Sequence, residues 1–463
     1  MSSRRFVAIV LAVSLAPALT ALGEQRALLV GVGKYSAPGI DLPAIDLDLE
    51  RMQETLNLMD FEDSQIRTLL DEEATANNVI RGLETWLRQG VSSDDRVVFY
   101  FSGHGSNTPD MNGDESDGVD EVLVMHDVRR VNSDGRATLT GVVSDDELAS
   151  LIEAIPSRNI WIIVDACHSG TVTRAINLDN LSLGTDPVYP KSFAYAGMPE
   201  GSQFVFDREF KKGGEANFVS ISAANDNEKA IGTTRGGVFT IGLTKAIREA
   251  ANSGESRTVN QLREEAATYI EEHVDKSAVH NPQVTGSQKL AEGALKIMPI
   301  EAGDGPNWKK LIELVRAQNN YFGLQSSKQT YAIDELVEFR IDIPMDGYLN
   351  LVSIDSADRA TVLFPNKEHR DNFVPVGVLD IPTKRMTFEL PAAEPVGPTL
   401  VAGFVTRDPI NFYNETLDDR DENGNIDAVL STLSHTATRA IRVAPRRQEM
   451  YAAHMELTVI AKD

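Results

Sequence analysis

The sequence predicts an α/β fold, a mostly parallel sheet flanked by helices, followed by a smaller β-rich, sandwich-like domain. Three observations carry that prediction. From Arg26 to about residue 300, apolar strand-like runs alternate with segments of helical periodicity. Two of these runs, Phe99-Tyr-Phe-Ser-Gly-His-Gly105 and Trp161-Ile-Ile-Val-Asp-Ala-Cys-His-Ser-Gly170, end abruptly in small residues around one reactive side chain. A parallel sheet delivers functional groups to its carboxyl edge in this way. From about Tyr331 the texture changes to short β-type runs separated by turn signals.

The elements follow in order. Residues 27–32 read as the first strand, and 47–58 as a helix with Leu49, Met52 and Leu56 on one face. Residues 66–70 form a short strand. Thr75 caps a helix running through Ile80, Leu83 and Leu87. Residues 96–101 and 160–164 are buried-strand candidates; between them Ser144-x-x-Glu147 forms a capping box ahead of Leu148, Leu151 and Ile152. Prolines 187, 190 and 199 mark 171–216 as a long loop. Order resumes with a strand at 218–222, helices at 239–250 and 259–274, and a strand before Pro299. The first domain is thus placed at 24–300, a linker and helix at 301–325, and the β-rich domain at 326–463. Its strands are expected at 336–343, 347–354, 360–364, 386–390 and 400–406.

The N-terminus reads differently. Arg4-Arg5 precede an uncharged apolar run, 6–22, that closes with Ala21-Leu22-Gly23. Residues 1–23 are expected to be a cleaved secretory signal, making the protein exported, periplasmic or secreted. An uncleaved anchor is the alternative, but the run is short and contains Pro17, so no stable membrane span is expected. Cys167 is the single cysteine of 463 residues. With nothing to pair with, it stays a thiol. A net charge of −25 argues against nucleic acid or anionic membrane as partner and favours cationic substrates and divalent cations, although solubility accounts for the charge equally well. A monomer is expected.

A peptide-cleaving cysteine needs a base and backbone N–H groups aimed at the developing oxyanion. Cys167 is the candidate nucleophile and His104 the base, with the N–H groups of Cys167 and Gly103 as oxyanion donors. The adjacent His168 should face away from Cys167, because neighbours on an extended backbone point to opposite sides. This chemistry requires no cofactor.

Phe-Ser-Gly-His-Gly followed by Asp-Ala-Cys-His-Ser-Gly resembles the caspase-type cysteine peptidases, in particular the metacaspase or bacterial orthocaspase branch. The resemblance covers roughly residues 26–300 and extends to Ser220-Ile-Ser-Ala-Ala, Glu228-Lys-Ala and Gly237-Val-Phe-Thr240. It implies a caspase-like fold, a His104/Cys167 dyad with no obligatory third residue, and an acidic pocket for the residue before the cut, formed by Asp48, Ser102 and Asp165. Carboxylates in a desolvated pocket favour Arg or Lys and penalise Asp. Asp48 alone would also serve as a first-turn residue answering the helix dipole.

The resemblance further implies calcium stimulation through Asp127, Asp145 and Asp146; a fourth family ligand falls near Arg174, which cannot serve. Asp419-x-Asp421-x-Asn423-Gly424 fits the first half of a calcium loop but carries Leu430 where a bidentate Glu is needed. The region 320–440 resembles a bacterial domain of unknown function appended to caspase-like peptidases. The expectation is a cysteine endopeptidase acting on protein or peptide substrates after Arg or Lys. Self-cleavage is expected in the loop 171–216, which holds Arg174, Lys191, Arg208, Lys211 and Lys212, with Arg208 to Lys212 the preferred patch. A catalytically idle homologue acting as a binding scaffold is the alternative, and a calcium-dependent adhesion module a third reading.

Overall fold

The computed structural model describes residues 25–110, 118–133, 136–167, 182–183, 186–198, 216–225, 228–276, 278–413 and 450–462. The proposed signal, His168, Arg174, Arg208, Lys211, Lys212 and the loop 419–427 lie outside the described residues.

The chain opens with β1 (Gln25–Gly31), α1 (Ile45–Leu58), β2 (Ile66–Leu70), α2 (Ala76–Arg81) and β3 (Arg96–Ser102). An antiparallel excursion follows, β4 (Gly105–Pro109), β5 (Val119–Ser133) and β6 (Arg136–Ser144), then α3 (Asp145–Glu153) and β7 (Asn159–Asp165). Three short strands come next, β8 (Ser182–Leu183), β9 (Asp186–Pro187) and β10 (Tyr189–Pro190). The domain closes with β11 (Phe218–Ser222), β12 (Ile231–Thr233), β13 (Gly236–Gly237), α4 (Val238–Ser253), α5 (Val259–His273), β14 (Gln283–Gly286) and α6 (Gln288–Glu292).

The central sheet runs β14-β11-β7-β3-β1-β2, parallel except for the edge strand β14. Side-chain alternation sends the two faces into separate cores. Val98 and Tyr100 join Met52 and Leu56 of α1 and Phe239 and Leu243 of α4. Phe99 and Phe101 join Val79 of α2 and Leu148 and Ile152 of α3 on the other side. Thr75 and Ser144 cap α2 and α3 by accepting the Asn78 and Glu147 N–H groups.

Three expectations are corrected. The helix begun at Thr75 ends at Arg81 and continues as a π-helical turn, Gly82–Trp86. The segment before Pro299 is no strand; the last strand of the sheet is β14. Residues 294–300 instead follow the helices, Met298 N–H donating to the Leu58 carbonyl and Ile300 N–H to that of Ala251. The β5–β6 hairpin, unforeseen, carries so many polar residues that its period-two signal is weak.

The C-terminal region contains α7 (Pro306–Arg316), β15 (Leu324–Ser326), β16 (Thr330–Ala332), β17 (Phe339–Ile343), β18 (Gly347–Ile354), β19 (Ala360–Phe364), β20 (Phe373–Val374), β21 (Gly377–Ile381), β22 (Gly397–Thr406) and β23 (Met450–Ile460). A sheet β15-β17-β21 faces the larger sheet β16-β23-β22-β18-β19 across a core that includes Phe339, Ile341, Leu351 and Val401. Trp308 and Leu311 of α7 cover the larger sheet's other face. Residues 386–390, expected as a strand, form none; Met386, Phe388 and Leu390 pack against the inter-sheet core as irregular chain.

The two regions meet at Asp358, in the turn between β18 and β19. Its carboxylate accepts the N–H groups of Asn307 and Trp308 at the start of α7 (3.0 and 2.9 Å) and pairs with Arg248 of α4 at 2.8 Å. Arg248 also reaches Glu54 of α1 at 3.2 Å. Among the described residues no helix is long and apolar enough to cross a membrane.

Candidate active site

The register of β3 against β7 sets Ser102 opposite Asp165. His104 and Cys167 each follow two residues later, so neighbouring strand ends carry the imidazole and the thiol. Both are buried, at 5% and 1% exposure.

His104 is held from two directions. Its backbone N–H donates to the Tyr35 hydroxyl (2.8 Å), and its Nε2 lies 2.8 Å from the Ile40 carbonyl. A carbonyl only accepts, so Nε2 carries the proton and Nδ1 is left with its lone pair. Nδ1 has no hydrogen-bond partner. Burial, assisted by the Lys191 charge, pushes the imidazole pKa down to about 4, so the ring is neutral near neutral pH. Burial, assisted by the Asp165 charge, pushes the Cys167 thiol up to about 12, and its Sγ–H donates to the Ala230 carbonyl at 3.1 Å. The pair rests as thiol and neutral imidazole.

The N–H groups expected as oxyanion donors, those of Gly103 and Cys167, do not meet a common acceptor. Gly103 N–H continues the β3–β7 ladder by donating to the Asp165 carbonyl (3.3 Å) and is therefore engaged. The N–H groups of Gly105 and Cys167 instead converge on one oxygen, the Lys191 carbonyl, each at 3.0 Å. Gly103 still matters sterically: a Cβ there would lie 2.9 Å from the Phe101 ring and 3.0 Å from the Tyr35 hydroxyl.

Asp48, Ser102 and Asp165 come together, each fully buried, around the ammonium of Lys191, itself fully buried. Lys191 Nζ lies 2.9 Å from Asp165 Oδ2, 3.1 Å from Asp48 Oδ2 and 2.9 Å from Ser102 Oγ, matching its three N–H donors with three acceptors. Burial pulls the Lys191 pKa down, but Asp165 and Asp48 outweigh it and the net shift is upward. The pocket is braced from behind. Ser102 Oγ–H donates to Asp48 (2.8 Å), Gly237 N–H to Asp48 (2.8 Å), and Thr240 Oγ1–H to Asp165 (2.6 Å). Tyr100 OH in turn lies 2.7 Å from Thr240 Oγ1. A Cβ at Gly237 would sit 2.0 Å from Asp165 Oδ2, so only glycine lets α4 approach this closely. The Arg51 guanidinium lies 3.8 Å from Asp48. Two carboxylates facing Arg51 alone would carry one uncompensated negative charge; Lys191 cancels it.

Lys191 arrives on a strand. Tyr189 and Pro190 pair antiparallel with Gly232 and Ile231 of β12, and Lys191 N–H donates to the Ala230 carbonyl at 3.0 Å. Lys191 was legible as a basic loop residue, whereas its place in the pocket was not. Ile40, Ala230, Gly105 and Gly237 act through main chain, for which the side-chain sequence carries no signal.

The residues expected to bind calcium do not form such a group. Asp127 Oδ1 accepts the Ala76 N–H at the start of α2 (3.0 Å), and Asp145 and Asp146 sit in the first turn of α3. Among the described residues no three His, Cys, Asp or Glu side chains gather as a metal site.

A thiol and an imidazole on adjacent parallel strand ends, above a buried carboxylate pair, define a caspase-like α/β protein. Residues 24–290 match the caspase domain, and 330–409 match a domain of unknown function (DUF4384). The chain belongs to the caspase-domain family. It is 31% identical to Metacaspase-2 of Arabidopsis thaliana over 266 residues, 55% of this chain and 58% of that protein. It is 30% identical to Metacaspase-1 of the same plant over 244 residues, 50% of this chain and 60% of that one. The chain therefore spans under two thirds of these relatives. The crystal structure of Caspase-1 from Spodoptera frugiperda aligns with 60% of this chain and 91% of its own at a TM-score of 0.38 and 12% identity.

Proposed function

We propose that the protein is a cysteine endopeptidase that cuts after Lys or Arg, and that its first substrate is its own Lys191–Ser192 bond. One observation carries this reading: a lysine whose ammonium is held by Asp48, Asp165 and Ser102 while its carbonyl oxygen accepts the N–H groups of Gly105 and Cys167. A cleavable residue needs both its side chain and its carbonyl held, and this arrangement of Lys191 supports the reading on both counts. Arginine suits the pocket as well, since Asp165 Oδ1 is left without a donor and a guanidinium brings more N–H groups than an ammonium.

In the proposed reaction His104 Nδ1 takes the Cys167 proton as Sγ attacks the carbonyl carbon, and the oxyanion forms on the two N–H groups. The C–N bond breaks as His104 returns the proton to the leaving amine, giving a thioester. Water, deprotonated by His104, then hydrolyses the thioester, restoring the thiol and releasing the carboxylate. Lys191 replaces the patch Arg208 to Lys212 as the favoured cut, because the latter rested on charge density alone. Calcium stimulation rests only on the family resemblance, and no step here uses the ion. Export rests on the N-terminal sequence.

The test is the intact mass of purified wild type and Cys167→Ala over time, beside hydrolysis of Lys, Arg and Asp reporter peptides with calcium or chelator. Wild type should yield new termini at Lys191 and Ser192 and cleave Lys and Arg reporters, and Cys167→Ala should do neither. Preference for the Asp reporter overturns the specificity. Inertness under every condition favours the scaffold, a reading that draws on the Cys167 thiol resting against the Ala230 carbonyl.

A further inference from the structure

The chain beyond Lys191 is as well held as the chain before it. Strand β4 starts immediately after His104. One of its edges pairs with β5, from Gly105 opposite Leu123 to Pro109 opposite Val119. Its other edge receives residues 192–195. Ser192 forms a parallel bridge with Gly105, and Phe193 N–H donates to the Gly105 carbonyl at 2.8 Å. The buried Ser106 hydroxyl donates to the Phe193 carbonyl at 2.7 Å, and the Tyr195 hydroxyl to the Asn107 carbonyl at 3.0 Å. The rings of Phe193 and Tyr195 stack, centroids 6.1 Å apart, and both pack against the core beneath α2 and α3.

Gly105 is the pivot. Its N–H holds the carbonyl oxygen of Lys191, while its own carbonyl holds the N–H two residues further on. One residue therefore grips both sides of the bond between Lys191 and Ser192. Any peptide that places a lysine in the pocket and continues beyond it meets the same pair of groups, because both belong to the backbone and do not depend on the occupant's sequence. Past Gly105, the Ser106 hydroxyl fixes the next carbonyl, and an apolar surface lies where the second residue after the cut projects its side chain.

We propose that β4 is the recognition strand for the leaving side of the substrate, and that it selects an aromatic or large apolar side chain at the second residue after the cut. This rests on the reading of Lys191 as a bound substrate residue and adds a requirement to it: preferred substrates extend past the lysine, in register with β4. The main chain supplies the docking and the apolar surface the selection, as in other cases of strand addition to a sheet edge.

The test uses internally quenched peptides with the chain's own sequence, Val-Tyr-Pro-Lys-Ser-Phe-Ala-Tyr, and versions carrying Ala or Asp in place of Phe, all cut by the full-length wild type. Beside them runs a lysine reporter with no residue after the cut. Removing the partly buried ring should lower kcat/KM by about ten-fold, and Asp should lower it further. Ser106→Ala should reduce kcat/KM more for the Phe peptide than for the reporter. Equal kcat/KM for Phe, Ala and Asp peptides, with the reporter still hydrolysed, overturns this inference and leaves lysine specificity standing. Failure to cut peptides and reporter alike overturns both.

Discussion

Two buried carboxylate sites, alike in composition, behave as opposites. At the domain junction Asp358 meets Arg248 and two amide N–H groups, all anchored in helices. In the pocket Asp48 and Asp165 also meet an amide donor at the N-cap of α4, Gly237, and a hydroxyl donor in its first turn, Thr240, yet their cation directly follows a short strand, β10, and is held by main-chain bonds. A helix-borne arginine has its backbone fixed for as long as its helix stays packed. A lysine on an edge strand can be replaced by another strand carrying another cation. Burial and pairing are therefore shared by structural and functional charge clusters; the element that carries the counter-ion separates them.

The largest effect that can break this contrast is expected at Asp165. Removing one member of a buried ion pair costs about 3–5 kcal/mol, so Asp165→Asn should lower kcat/KM for lysine reporters by roughly 100-fold or more. A reporter assay with matched melting curves separates lost recognition from lost folding; near-wild-type turnover would show that the pocket does not read the cation. At the junction the loss should be structural. Asp358→Ala removes the acceptor of two α7 amides and the partner of a partly exposed arginine that keeps Glu54, so stability should fall by about 2–3 kcal/mol. Denaturant unfolding measures that loss, and lysine-reporter turnover by the still-folded variant should change far less than for Asp165→Asn.

The smallest effect concerns pH. Burial depresses His104 and His280 alike to about 4. The unfolded chain takes up protons near an ordinary pKa of about 6.5, whereas the folded chain does so only near the depressed value. Their contribution is complete above the unfolded value and is lost as pH falls through this window. The melting temperature should drop between pH 7 and 4.5, and His280→Gln, which lies outside the dyad, should make that drop shallower. An unchanged slope would discount His280.

Much of this arrangement is legible in the sequence, and the parts that are not share a cause. The strand ends that carry His104 and Cys167 show because each apolar run closes abruptly on small residues around one reactive side chain. Asp48, Ser102 and Asp165 show through family likeness. That the N–H of Gly105, rather than that of Gly103, meets the Lys191 carbonyl depends on how far the β3–β7 ladder extends, which only the paired strands decide. Lys191 was one basic residue among several in a long loop, and its partners lie far away in sequence on α1, β3 and β7. The hairpin β5–β6 and the irregular chain at 386–390 miss for a local reason: alternation is faint in the first and present without partners in the second.

One consequence follows from the strand order of the central sheet. A break after Lys191 would leave β1, β2, β3 and β7 on one polypeptide and β11 and β14 on the other, yet the whole of β11 lies hydrogen-bonded along β7, from Phe218 opposite Ile160 to Ser222 opposite Val164. The nucleophile and the base would belong to the first piece, while Gly237 and Thr240, which steady the pocket's two carboxylates, would belong to the second. The proposed self-cleavage would thus turn one chain into two pieces that share a central sheet, with the Gly237 and Thr240 donors to Asp48 and Asp165 on one and the carboxylates themselves on the other.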